Sequence, residues 1–191
     1  MTATLLTLMF VVSAQATMNI GLRDQTVVQD VPVLQGRLPR PALEVLGVRA
    51  GRDRLSEARS RLGTAPLRDT GAPHDGLGIC YVSGSGNTTL FVETGELEQG
   101  ATEADMVDTF VLLRGASPGC GRVSGKQLST TSGLRLGLTP KQVESQLGPP
   151  SKRSEHLLLY LFKSASVIGV VEVHLQHGVA SQLVIGEWPE E

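Results

Sequence analysis

A marked excess of charge of either sign is what this chain most clearly lacks. Its 191 residues carry 17 Lys and Arg against 19 Asp and Glu, a formal charge of −2. Without a basic excess there is no electrostatic footprint for a nucleic-acid backbone. Aromatic residues are also scarce, with one Trp, two Tyr and four Phe. Stacking platforms for single-stranded nucleic acid are therefore not expected. Only two cysteines occur, Cys80 and Cys120, with no Cys-x-x-Cys pair, which excludes the usual zinc spacing. An early apolar run, Leu5-Leu6-Thr7-Leu8-Met9-Phe10-Val11-Val12, falls short of the roughly 20 residues a spanning helix requires.

What is present describes an exported globular chain. Hydrophobic residues make up 40% and charged residues 19%, a balance that can bury a core. The early apolar run is followed by Ala14-Gln15-Ala16, an A-x-A cleavage pattern. Residues 1–16 are thus expected to be a signal peptide, with Thr17 first in the mature chain. No Cys lies near that cut, so no lipid anchor is expected. In an exported chain an even cysteine pair reads as a Cys80–Cys120 disulfide. Closing a loop of that length stabilises by about 4 kcal/mol in the chain-entropy account. The expected location is periplasmic or secreted.

One phrase occurs twice. Gly47-Val48-Arg49-Ala50-Gly51 and Gly133-Leu134-Arg135-Leu136-Gly137 each precede a short amphipathic segment that ends in Leu-Gly, at Leu62-Gly63 and Leu147-Gly148. A Pro-containing turn follows in each copy. The first helix is predicted from Arg54 to Leu62 with Asp53 as N-cap. The second begins at Thr139-Pro140 with Gln142 completing a capping box. Three strands are predicted after each helix: 77–83, 88–94 and 108–114, then 156–163, 167–176 and 179–187. Gly84 to Asn87 marks a hairpin between the first two. Alternation in the 167–176 strand sets Val171, Val173 and Leu175 against Glu172, His174 and Gln176, a sheet with one wet face. The fold class expected is α+β, two tandem helix-helix-sheet units, each a short helical segment packed on an antiparallel sheet. The division is an extended lead-in at 17–45, a first unit at 46–114, a Gly/Ser linker at 115–125, a second unit at 126–187 and a tail at 188–191.

At Gly133 to Val143, through Leu147-Gly148-Pro149-Pro150 and the later His177-Gly178-Val179, the chain resembles the β-lactamase inhibitory protein fold. It also looks like the small outer-membrane lipoprotein family of the β-barrel assembly machinery. Gly51-Arg52-Asp53 to Pro66 matches more loosely. The resemblance implies a binding or assembly role in the bacterial envelope, using sheet faces or loops to hold another protein. No contact residue carries over, because no contact motif matches.

Catalytic signals are weak. Ser83-Gly84-Ser85-Gly86 lacks the strand-to-helix context of a nucleophile elbow and of a phosphate cradle. His174 and His177 lie three apart on a strand and its turn, a poor metal pair. Asn87-Thr88-Thr89 is a glycosylation triplet, relevant only on a eukaryotic route. Glu96, Glu98, Glu103, Asp105 and Asp108 form an acidic stretch. The partner-binding candidates are therefore Glu172, His174 and Gln176 on the sheet and Glu96 and Glu98 on the loop. No cofactor, metal or catalytic residue is expected. The expected function is a non-catalytic, exported protein-binding module, with an inhibitor or immunity protein for a secreted enzyme as the alternative.

Overall fold

The computed structural model describes residues 31–69, 76–94, 102, 105–124 and 127–189. The segment expected as a signal peptide, the expected lead-in up to residue 30, and Glu96, Glu98 and Glu103 lie outside these residues. In chain order the strands are β1 (Leu34–Gln35), β2 (Glu44–Val45), β3 (Val48–Arg49), β4 (Arg68–Asp69), β5 (Leu77–Ser83), β6 (Thr88–Thr94), β7 (Val107–Arg114) and β8 (Gly121–Val123), then β9 (Lys152–Arg153), β10 (Leu157–Lys163), β11 (Val167–Gln176) and β12 (Val179–Pro189). Two α-helices occur among the described residues, α1 (Leu55–Leu62) before β4 and α2 (Pro140–Leu147) before β9. A 3-10 turn over Arg40–Leu43 lies within the segment expected as an extended lead-in.

The expectation of two tandem helix-helix-sheet units is overturned. Ten strands form one mixed sheet, in the order β1-β10-β11-β12-β7-β6-β5-β4, with β8 also on β5 and β9 also on β10. The protein is mostly β. The reason is the antiparallel pairing of β12 with β7, where Leu183 faces Leu112 and Ile185 faces Phe110. That pairing runs the two groups of three strands into one ladder. Within the 115–125 segment, Gly121–Val123 pair in parallel with Tyr81–Ser83. A separate two-stranded ladder joins β2 and β3.

Each outer long strand meets two short ones. On β10, β9 pairs at Leu158 and Leu159 and β1 at Phe162 and Lys163. On β5, β4 pairs at Leu77 and Gly78 and β8 from Tyr81 to Ser83.

The main core lies on one face of the sheet. Tyr81, Leu90, Leu112, Leu183, Val173 and Leu158 form one cross-strand row, and all six belong to the core cluster. The helices pack on this face through Leu55 and Ala58 of α1 and Val143 of α2, all fully buried. Both helices end at the predicted glycines, Gly63 and Gly148. A buried tyrosine reaches each end: Tyr81 Oη donates to the Gly63 carbonyl at 2.7 Å, and Tyr160 Oη to the Gly148 carbonyl at 3.2 Å.

Helix starts differ. At α2, Thr139 caps as expected: the Gln142 amide donates to Thr139 Oγ1 at 3.4 Å and Thr139 N donates to Gln142 Oε1 at 2.9 Å. At α1 the N-cap is Arg54, not Asp53. The Asp53 carboxylate accepts instead from the Arg49 amide at 2.9 Å and from Arg61 Nη1 at 2.8 Å. Glu57 Oε2 accepts from the Arg54 amide at 3.0 Å, a carboxylate at the positive end of the helix.

The opposite face is not simply wet. Cys80, Phe91, Val111, Val184, Glu172 and Leu159 share a row there. Val111, Val184, Leu159, Leu161 and Val170 are buried yet stand outside the main core cluster. The expected disulfide is present on this face, with Cys80 and Cys120 bonded and their Cα atoms 4.9 Å apart, inside the 4.4–6.8 Å range for a bridge. It ties the loop between β7 and β8 beneath β5. Ser117 N reinforces this by donating to Thr89 Oγ1 at 3.0 Å, while Thr89 Oγ1 donates to the Gly115 carbonyl at 2.8 Å.

Candidate functional site

An open cleft of about 850 Å³ lies at the β5–β6 hairpin end of the sheet. One wall is the hairpin itself: Ser83, Gly84, Ser85, Asn87 and Thr88, with Arg114 at the end of β7. The other wall is Gln127 and Leu128 together with Arg135, Leu136 and Gly137.

Local sequence explains both walls. In the hairpin, the Gly86 amide donates to the Ser83 carbonyl at 2.8 Å, closing a turn that Gly86 permits with φ +72°. The polar side chains then pair among themselves. Ser83 Oγ accepts from the Thr88 amide at 3.2 Å. Asn87 Oδ1 accepts from Ser83 Oγ at 3.2 Å, Ser85 Oγ at 2.5 Å and Thr88 Oγ1 at 3.4 Å. The hairpin's main side-chain acceptor is thereby occupied from within, and the Asn87 amide nitrogen remains as a donor.

The second wall is held from three sides. Thr131 N donates to the Glu44 carbonyl at 2.8 Å and Ser132 N to the Pro41 carbonyl at 2.9 Å. Leu134 N donates to Thr130 Oγ1 at 3.0 Å, which turns the chain so that the Leu134 side chain enters the core with no exposure. Gly137 N donates to the Ala180 carbonyl and Ala180 N to the Leu138 carbonyl, both at 2.8 Å. Arg135 and Leu136 lie between these anchors. Arg135 is half-buried and Arg114 exposed. Neither arginine has a side-chain hydrogen bond or ion pair among the described residues.

The cleft lining contains two guanidinium groups, amide and hydroxyl donors, and an aliphatic floor from Leu128 and Leu136. Among the described lining residues there is no Asp, Glu, His or Cys. No metal-ligating group of His, Cys, Asp and Glu occurs among the described residues either.

The residues singled out in sequence lie elsewhere. Glu172 is on the second face, 7% exposed. His174 Nε2 is 3.0 Å from Glu172 Oε2, with 42% of the His174 side chain exposed. Gln176 is exposed at the end of β11. Glu172 and His174 are thus brought together, away from the cleft. Glu96 and Glu98 lie outside the described residues.

No family model and no curated protein matches the chain. It is similar to the crystal structure of a DUF4309 family protein (YjgB) from Bacillus subtilis subsp. subtilis str. 168, with a TM-score of 0.42 and 14% identity over 79% of this chain and 87% of that one. No helix among the described residues is long and apolar enough to cross a membrane, and the disulfide is compatible with an extracellular or periplasmic location.

The cleft escaped sequence reading because its walls come from segments roughly forty residues apart, brought together only by the tertiary fold. A signal did exist. Arg135 sits among the turn glycines and leucines of Gly133 to Gly137, and Arg114 ends an apolar strand immediately before Gly115. A cation at the rim of an apolar segment marks where that segment meets solvent.

Proposed function

We propose that this protein is a non-catalytic binding module, exported to the bacterial envelope, that holds another protein. The cleft carries the reading. Its described lining offers donors and an aliphatic floor but no carboxylate, imidazole or thiol to relay a proton in general acid–base or nucleophilic chemistry. Three further features support it: the cysteine bridge, the cleavage pattern at Ala14-Gln15-Ala16, and the helix phrase resembling families whose members bind proteins. Recognition of that kind needs a preorganised surface, and the cleft walls are fixed by backbone hydrogen bonds and core anchors.

Affinity capture from envelope extract tests the proposal, with the wild-type chain run beside a cleft variant, R114E/R135E. The expected outcome is a specific protein recovered by the wild type and depleted with the variant. Turnover of a substrate by the purified chain, or repeated failure to recover any specific protein, would overturn it.

A further inference from the structure

We propose that the cleft recognises an acidic peptide segment of its partner, one that alternates carboxylate and aliphatic side chains. This deepens the binding reading above and rests on it.

Charge is the first argument. The whole chain carries a formal −2, yet the described lining of the cleft holds two arginines and no acidic residue. The positive charge is local and runs against the molecular average. Neither guanidinium is neutralised by a described neighbour. Each therefore keeps its planar fork of donors for a ligand, the group that binds a carboxylate bidentately.

Acceptor accounting is the second. Asn87 Oδ1 already receives three hydroxyl groups. The Asn87 amide N–H pair is left without a described partner, as is the Arg114 guanidinium in the same lining. A ligand matching these free donors brings acceptors.

The third argument is size and polarity. About 850 Å³ is in the upper part of the range for ligand sites, larger than a lone carboxylate or phosphate fills. Leu128 and Leu136 line it between the polar groups. A simple inorganic anion leaves that aliphatic surface wet, whereas a peptide side chain covers it. The open, anchored walls suit an extended segment of chain.

Fluorescence anisotropy on the full chain tests the assignment. The probe is a fluorescein-labelled octapeptide alternating Glu and Leu, compared with its Gln–Leu counterpart. The acidic peptide is expected to bind at least tenfold more tightly, and its affinity to fall with added salt. Arg114→Gln and Arg135→Gln should each weaken it roughly tenfold, the scale of one charge-assisted contact. Arg122→Gln, on β8 outside this cleft, should change nothing. Circular dichroism and an intact disulfide establish that each variant is folded.

Equal binding of the two peptides would overturn the assignment, as would unchanged binding by the folded double variant. Displacement of the probe by equimolar inorganic phosphate or by a single-stranded oligonucleotide would also overturn it, pointing to a phosphate site instead. The two proposals fail differently. A double variant that still captures the envelope partner removes the cleft assignment and leaves the binding reading. Tight acidic-peptide binding with no partner in the envelope does the reverse.

Discussion

Tyr81 and Tyr160 are the only tyrosines in the chain, and both are fully buried. Each hydroxyl donates to the carbonyl of a helix-ending glycine. Burial pushes both phenols up to about 12, because the phenolate would lose its hydration. Nearby Arg59 opposes this at Tyr81; at Tyr160 Glu144 adds to the rise and Arg153 opposes it. An unfolded phenol titrates near 10. The neutral form is thus favoured by folding, so this stability is fully present below about pH 10 and is lost as pH rises towards 12. Absorbance of tyrosinate should stay flat in the native protein through pH 10 and rise only together with alkaline unfolding. In urea, both residues should titrate near 10. Native titration near 10 would show that the phenols are not buried against those carbonyls. The sequence marked both residues as strand members and nothing more. Their partners lie 18 and 12 positions away, and no periodicity reports which hydroxyl meets which carbonyl.

Elements behave more predictably where one side chain decides the outcome. The start of α2 was legible because Thr139, Pro140 and Gln142 each satisfy a backbone need of the first turn. Thr139→Ala should cost about 1 kcal/mol in denaturant unfolding, and Thr139→Ser should restore most of it. Loss of less than a few tenths with alanine would show the box to be decorative. The same reasoning misplaced the start of α1. Asp53 is a good capping residue by type, but Arg61 and the Arg49 amide hold its carboxylate, a competing pair of contacts four and eight positions away that residue type alone does not reveal. Among loops, the disulfide gives a sharp expectation. Cys120 anchors residues 115–120 under β5, so reduction should raise hydrogen exchange in that loop, β5 and β8. The strands β10 to β12 should keep their protection. Equal protection in oxidised and reduced protein would defeat this.

At the scale of the molecule, the β7–β12 ladder decides cooperativity. Five residue pairs from Gln182–Leu113 to Gly186–Thr109 join the strands that follow α1 to those that follow α2. A fragment ending at Arg114 would leave β7 with one bare edge of apolar residues. It should therefore fail to fold alone, giving no dispersed amide spectrum, while the whole chain unfolds in one transition. An independently folded fragment, or two separated transitions, would contradict this. The strand spans were largely legible, because alternation and Gly-rich turns are local signals. Their assembly was not. The repeated phrase, with positive φ at Gly47, Gly51, Gly133 and Gly137, specifies turns and helix entries. It is silent on whether the strands it precedes close into two sheets or one. The cleft shares that obscurity, since Arg114 and Arg135 come to line one cleft only in the assembled fold.

The short strands at the two margins have a further effect. An unpaired margin is a template on which an identical molecule can add, and then another, until the array no longer dissolves. Here β9 and β1 occupy most of the outer side of β10, and β4 and β8 most of the outer side of β5. Little hydrogen-bonding backbone is left for a visiting strand at either margin. Growth by edge-to-edge strand addition is thereby obstructed, even though the chain is rich in the residues that favour it. The same obstruction limits how a partner can engage: what this sheet offers at its margins is side chains and loops, not a vacant place in the ladder.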